Sequence, residues 1–503
     1  MGHCMTRFTR RDVLRLTASA ALAGSLAVPQ LARGATRRAV SFDDGSSKVP
    51  RGLVGDPTRV IVVGAGWAGL TIANALRTAG IDYVLLEARD RIGGRAHTVD
   101  IGGYPIDLGC SWIHGPIGNP MTTWAQHVGV GFNNGDVELD YPIIRFFDEV
   151  IGAEVSLADK MIPVGYFLNF EENASTSIAN QHGPGLSVEQ GWQLYADRQS
   201  MTPDQERRAG FMARGFTEMV YGKPWSQLSL ADWAPGNSEN KYLGVGEGNF
   251  PRGAYRLLYG AMADGGDEEL HLRCHVRSIE SHRTGVTVRA TQGGHQRQFH
   301  GSHVVCAVPL GVLKTGGVHI SPMPAAKTDA IRHTGFGNIE KVVMVFAKPF
   351  WHDLTHTHIL HYSKADDLAF PWWIDMQRTH GIPALVAFNG GPYARALHNI
   401  TAEQRLFLAL RQLSTIFGYQ VPKPIDWRAT DWRGEEFTQG SYTAMLVGRT
   451  VNDLSTIAAP INGRILFAGE STNRARHSTA DGAMSSGIRE AKRLLRKPAV
   501  LLR

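Results

Sequence analysis

Residues 59–69 read Arg-Val-Ile-Val-Val-Gly-Ala-Gly-Trp-Ala-Gly, and a second apolar run, Tyr83-Val84-Leu85-Leu86, closes on Glu87. A short, continuous, β-branched run is the pattern of a strand buried on both faces of a parallel sheet. The segment between, Leu70 to Thr78, has helical character and stops at Gly80, so the spacing predicts a strand–helix–strand unit with glycines at its first turn. In such a unit Gly64 allows the tight turn, Gly66 lets the backbone approach a pyrophosphate, and Gly69 lets helix and strand pack closely. The helix N-terminus then faces the phosphates with its partial positive charge. Glu87 is placed to accept hydrogen bonds from a ribose diol and would repel a 2′-phosphate, so FAD or NAD fits better than NADP.

The chain has 503 residues, enough for two or three lobes, with an ordinary globular balance of 43% apolar and 19% charged residues. The formal net charge of +6 invites a nucleic-acid reading. Residues 1–38, however, hold seven arginines against Asp12, and the remainder carries 45 basic and 45 acidic residues. The excess belongs to the leader, and no nucleic-acid partner is expected. Four cysteines (Cys4, Cys110, Cys274, Cys306) without a C-x-x-C pair argue against a disulfide scaffold and a cysteine-type zinc site. No run of 18 or more strongly apolar residues stands out, so no permanent membrane span is expected.

Within the leader, Thr9-Arg10-Arg11-Asp12-Val13-Leu14-Arg15 followed by a mildly apolar run, Leu16 to Val28, and small residues at 32–35 has the order of a twin-arginine export signal. It implies recognition by the twin-arginine export machinery and a bacterial periplasmic or otherwise exported location. After cleavage three cysteines would remain, an odd number that disfavours complete internal pairing.

Glu87-Ala88-Arg89-Asp90-Arg91-Ile92-Gly93-Gly94-Arg95 continues the unit with a second glycine pair flanked by arginines. Gly93 and Gly94 permit close backbone passage, and Arg95 could reach a pyrophosphate as its positive partner. This stretch resembles the flavin-binding sequence of the amine oxidase superfamily. Four further segments extend the likeness: Ile106-Asp107-Leu108-Gly109-Cys110-Ser111-Trp112-Ile113-His114-Gly115; His275-Val276-Arg277-Ser278-Ile279 with the run from Val304 to Leu313; Gly335 to Phe346, centred on Glu340-Lys341; and Leu466-Phe467-Ala468-Gly469-Glu470-Ser471-Thr472 with His477-Ser478-Thr479-Ala480-Asp481-Gly482-Ala483. Together they resemble the flavin-dependent polyamine and monoamine oxidases, a group that includes the lysine-specific histone demethylases, and Trp-Ile-His-Gly is closest to the polyamine oxidase branch.

The resemblance implies an α/β, two-lobe fold: a Rossmann-like FAD-binding domain (58–120, 246–334 and 451–503) and a discontinuous substrate domain (121–245 and 335–450), after a linker over 39–57. It implies that Arg89, Ser111, Trp112, Trp432 and Gly469 join the glycines around FAD and that the backbone of Val276 meets the adenine end. Glu470 would serve the ribityl or phosphate region, and Gly482 and Ala483 would open a last helix aimed at the flavin pyrimidine. Lys341 would hold a water at flavin N5 and assist reaction with oxygen. His114 would lie by the substrate channel, orienting a secondary amine or acting as a modest base. Tyr442 would form one wall over the substrate nitrogen. Thr479 stands where monoamine oxidases place a second tyrosine, so Ser478 or Thr479 would hydrogen-bond the amine. No cysteine stands in Gly440-Ser441-Tyr442, so a non-covalent FAD is expected.

The implied reaction is oxidation of a polyamine or related amine: hydride to flavin N5, then imine, then aldehyde plus amine, with oxygen reduced to hydrogen peroxide. Monoamine oxidase, L-amino-acid oxidase, carrier-linked dehydrogenase and a non-catalytic flavin-binding protein are the alternatives; histone demethylation is disfavoured, since no long coiled-coil insertion is evident and an export address removes the substrate. The acidic residues Asp136, Glu138 and Asp140 are candidates for a cationic channel mouth. The histidines 352, 356, 358 and 361 are read as no metal site, and Phe370, Trp372 and Trp373 as lobe core.

Overall fold

The computed structural model describes residues 39–42, 51–134, 144–235, 247–351, 358–365, 367 and 369–502. The leader reading, the acidic positions 136, 138 and 140, and His352 and His356 lie outside these residues.

The cofactor lobe is built on a five-stranded parallel sheet in the order Leu270–His271, Asp82–Leu86, Arg59–Val63, His303–Cys306, Ile465–Phe467. Along Arg59–Val63 the pleat sends Val60 and Val62 to a core of helices and Ile61 and Val63 to a core shared with a four-stranded sheet, which is why the run is apolar without alternation. The helix Trp67–Thr78 covers the first face, crossed by the C-terminal helix Ala480–Leu495. They approach closely: a Cβ at Gly487 would lie 2.6 Å from the carbonyl oxygen of Ala68.

The substrate lobe carries a seven-stranded sheet in which Asp426–Ala429, Ile339–Val345, Ala384–Gly390, Trp372–Asp375 and His358–Tyr362 run antiparallel to their neighbours, while Arg145–Asp148 joins His358–Tyr362 in parallel. One face, with Val343, Ile374 and Phe388, packs beside helices that include Leu157–Asn169 and Pro203–Tyr221; the other, with Val342, Met344 and Trp373, meets helix Ala402–Phe417.

Two expected boundaries shift. Ala39–Phe42, read as linker, is a strand paired antiparallel with Ala499–Leu502. Its period-two pattern turns Val40 and Phe42 onto the cofactor-lobe core. The helix Pro120–Val128, assigned to the substrate domain, buries Met121, Trp124 and Val128 in that same core, and the Trp124 indole donates to the Leu258 carbonyl (3.0 Å). The predicted cut at residue 120 falls one helix too early, because the apolar stripe that decides membership faces backwards.

Lys327 is buried, and its ammonium donates to the carbonyls of Thr456 (2.7 Å), Ile457 (2.6 Å) and Ala459 (2.7 Å) at the end of helix Asn452–Ala458. A cation there satisfies orphan carbonyls and opposes the negative end of the helix dipole. Lys327→Met is expected to lower stability by about 2–4 kcal/mol, because three buried acceptors lose their donor. Denaturant unfolding would measure it, and a loss below about 0.5 kcal/mol would deny the cap its role.

Candidate cofactor and substrate cavity

A cavity of about 420 Å³ runs between the lobes, lined at one end by the first βαβ turn and at the other by the substrate-lobe sheet. At the first end the helix Trp67–Thr78 begins at Gly66 with no side-chain cap and no acidic residue in its first turn, leaving its first N–H groups for a ligand. Gly64 has φ +101°, while Gly66 has an ordinary φ of −79°. A Cβ at Gly66 or at Gly469 would meet no atom within 4 Å, so both positions are bare because the cavity passes over them. At Gly69 a Cβ would lie 1.8 Å from the Gly64 carbonyl oxygen, so this glycine serves packing and does not line the cavity.

Glu87 is buried, accepting from the Ala65 N–H through Oε2 (2.8 Å) and from the Arg89 N–H through Oε1 (2.9 Å). Each oxygen keeps a lone pair for a ribose hydroxyl. Arg89 is clamped to Glu435 (Nε 3.1 Å) and lines the cavity as a paired group. Gly94 and Val276 line the same end, and a β-bulge between Val276 and Ser278 interrupts the ladder beside Val276.

Arg95 donates to Glu470 Oε1 (2.9 Å) and to the Ser441 carbonyl (2.6 Å). Glu470 Oε2 accepts from the Ser478 N–H (2.9 Å) and the Thr443 N–H (3.4 Å). The two residues expected to serve phosphate and ribityl groups are thus first of all partners of each other. The last helix starts at Ala480, two residues before Gly482, with Thr479 as its N-cap accepting from the Gly482 N–H (3.0 Å). Gly482 is needed because a Cβ there would sit 1.6 Å from the Arg476 carbonyl oxygen; Ala483 lines the cavity and Gly482 does not.

At the middle of the cavity, Lys341 is 5% exposed on the wholly buried strand Ile339–Val345, and its ammonium donates to the Gly109 carbonyl (2.6 Å), the Ser111 hydroxyl (2.7 Å) and the Asp107 carbonyl (3.3 Å). Strand register sets Lys341 opposite Phe388 and Phe388 opposite Trp372, a row of three facing the cavity. The ammonium lies 5.0 Å from the Phe388 ring and 5.5 Å from that of Trp112. Below it, burial pushes the Asp107 carboxyl up to about 6, against the pull of the Thr98 hydrogen bond and Lys341.

His114 and Trp112 line the cavity on the strand Trp112–His114, and Trp432 closes another side, its backbone N–H donating to Glu340 Oε2 (3.1 Å). Tyr442 lines it too, its hydroxyl donating to the Val220 carbonyl (2.5 Å). Ser478 and Thr479 line the cavity, but their hydroxyl protons are spent on backbone: Ser478 donates to the Thr443 carbonyl (2.5 Å) and Thr479 to the Arg476 carbonyl (2.9 Å), leaving each only acceptor capacity for an amine.

These residues would suit FAD: glycines bare toward the cavity, an uncapped helix N-terminus, and in Glu87 a buried carboxylate able to accept from a ribose. The model of the family described as flavin containing amine oxidoreductase matches residues 67–495. The chain belongs to that family.

Its cofactor is accordingly FAD. Among curated relatives of this amine oxidoreductase, lysine-specific histone demethylase 1 homolog 1 of Oryza sativa subsp. japonica is 30% identical over 88% of this chain and 52% of its own length. Polyamine oxidase 3 of the same rice is 29% identical over 86% of this chain and 88% of its own. The chain spans about half the length of the demethylase relatives it matches. A putrescine oxidase structure with bound putrescine shares the fold at a TM-score of 0.69, with 20% identity, over 88% of this chain and 99% of that one.

Sequence reading of this amine oxidoreductase missed several wall residues. Trp372, Phe370 and Trp373 are lobe core as expected, but Trp372 lies in the core that borders the cavity and also lines it, because alternate residues of a strand point to opposite faces. Glu171 lines the cavity from a π-helical turn, Phe170–Ala174, and nothing in Phe-Glu-Glu-Asn announced it. Burial, reinforced by Glu172, pushes its carboxyl up to about 7. Tyr221 shares that end of the cavity, its phenol raised by burial and by Asp232, Glu171 and Tyr442. Among the described residues no group of three metal-ligating side chains could hold an ion; His361 bonds Glu149 (3.0 Å). Cys110, Cys274 and Cys306 are free thiols.

Proposed function

We propose that this chain is an FAD-dependent oxidase of a polyamine or related amine. The observation that carries the reading is Glu171, a carboxylate on the wall of a cavity that is also lined by Phe216, Met219, Trp372, Ile374 and Phe388. A second ammonium of a flexible diamine, with methylenes against these apolar walls, matches that distribution. An amino acid would require a free cation for its carboxylate. The arginines on the described cavity wall, Arg89 and Arg95, are both at the cofactor end and both paired with carboxylates.

FAD, when bound, supplies the two-electron acceptor for the carbon–nitrogen bond and returns the electrons to oxygen as hydrogen peroxide. The chain's own residues do the rest. Trp112, Trp372 and Phe388 would exclude water from the reacting carbon, Tyr442 and His114 would flank the amine, and the Lys341 ammonium, held by the Gly109 carbonyl, would supply a positive charge where oxygen takes up electrons.

The test is anaerobic mixing with spermidine, spermine, putrescine, an aromatic monoamine and several L-amino acids, followed by air. Flavin bleaching by a polyamine, with peroxide on reoxidation, supports the reading; bleaching by amino acids alone overturns it. Glu171→Gln is expected to lower kcat/KM for putrescine by about tenfold and to leave that for an aromatic monoamine within about twofold, the weight of one charge-assisted hydrogen bond. With a carboxyl raised to about 7, Glu171 is charged above that pH and neutral below it. The preference for diamine over monoamine therefore falls as pH drops through about 7, and Glu171→Gln makes it pH-independent.

A further inference from the structure

His477 is the residue before Ser478, on the loop that enters the last helix, and its side chain is fully buried. Its Nδ1 lies 2.8 Å from the Ser478 hydroxyl oxygen, and its Nε2 lies 3.7 Å from Asp232 Oδ2, on the substrate-lobe helix Leu230–Trp233. Nε2 is closed off from solvent and has no hydrogen-bond partner among the described residues.

The hydrogen positions follow from the heavy atoms. The Ser478 oxygen lies 2.5 Å from the Thr443 carbonyl oxygen, and two oxygens so close repel unless a proton lies between them. The carbonyl has none, so the single hydroxyl proton is there. Nδ1 must then donate to Ser478, since that oxygen has only lone pairs left to offer. Nε2 faces a carboxylate at ion-pair distance, and a bare lone pair there would be repelled, so it carries a proton too. Ser478 itself has φ +71°, a conformation rare outside glycine, and it is held by three bonds: its N–H to Glu470, its hydroxyl to Thr443 and the imidazole on its oxygen.

We propose that Asp232 and His477 are positioning residues: the carboxylate keeps the imidazole doubly protonated, and the imidazolium keeps the Ser478 hydroxyl turned to Thr443, so that Ser478 presents the cavity with a lone pair alone. A ligand set against Ser478 must bring an N–H or O–H. Under the amine oxidase reading, on which this step rests, the donor is the amine, and amines carrying N–H are preferred over their N,N-dialkyl analogues.

The surroundings agree. Burial pulls the His477 imidazole down, yet Asp232 and Glu470 outweigh it and hold it raised from the ordinary imidazole range, whereas burial takes His358 to about 3 and His303 to about 4. Of the other charged groups around it, Glu470 is paired with Arg95 and Asp481 with Arg476 (2.7 Å), and Tyr442 is a phenol raised by burial.

The experiment uses the holoenzyme labelled with [15N]histidine, without amine, the His477 signals being those lost in His477→Gln. Both ring nitrogens are expected to be protonated at pH 7, and Asp232→Asn, which keeps the side-chain volume, is expected to lower the His477 titration by about 1–2 units. A neutral His477 at pH 7, or a titration indifferent to Asp232→Asn, overturns the pairing. In turnover, Asp232→Asn is expected to raise KM about tenfold for an N–H amine and to add nothing in a Ser478→Ala background. Additive effects would overturn the action through Ser478. If no amine is oxidised the functional reading fails, while the resting-enzyme titration still decides the pairing.

Discussion

Lys341→Met is expected to leave FAD bound and reducible by amine while slowing the return of oxidised flavin in air by about 10²-fold, the usual cost of removing one preorganised charge from a developing anion. The ammonium is fixed by the Gly109 and Asp107 carbonyls and the Ser111 hydroxyl, on a strand buried along its whole length, so it cannot swing away into solvent. One-electron transfer to oxygen creates negative charge, and a fixed ammonium in a dry setting stabilises it far more than a solvated one would. Methionine keeps the length and loses the charge. The readout is stopped-flow return of flavin absorbance after anaerobic reduction; an unchanged rate removes the role. The orphaned Gly109 and Asp107 carbonyls are expected to lower stability by about 1–3 kcal/mol, a separate effect seen by thermal unfolding.

The glycines of the first turn separate by mechanism. Gly69→Ala is expected to cost about 3 kcal/mol in fold stability or to abolish soluble protein, because its Cβ would lie 1.8 Å from the backbone oxygen of Gly64, which cannot move without the turn itself. Gly66→Ala is expected to fold normally, since its φ of −79° suits alanine and no atom stands within 4 Å of the new Cβ. That methyl instead occupies the space over the uncapped helix N-terminus, and FAD affinity is expected to fall by about tenfold or more. Apo-protein melting and flavin titration distinguish the two. A Gly66→Ala protein that binds FAD normally would move the pyrophosphate elsewhere; a Gly69→Ala protein of unchanged stability would contradict the packing.

The glycine spacing, the apolar strand before it and the acid after it are short-range features, and the structure has them in the expected places because a βαβ turn is decided within about thirty residues. The same is true of Lys341, whose neighbours in sequence spell a buried strand. Sequence therefore determined the dinucleotide fold and the family, and it named many of the residues that line the cavity. Other features depend on which face a side chain turns and what lies across from it. Trp372 and Trp373 are adjacent and alike, yet the pleat sends one to the core that borders the cavity and the other to the core on the opposite face of the sheet. Arg95 and Glu470 each suggested a ligand contact, but 375 positions apart they meet and neutralise one another. Glu171 gains its place from a π-turn and its raised pKa from burial. Asp232 and His477 approach only because the two lobes close on each other. Local spacing fixes a backbone turn, whereas pairing, burial and protonation belong to atoms brought together from distant parts of the chain, and only the tertiary structure decides them.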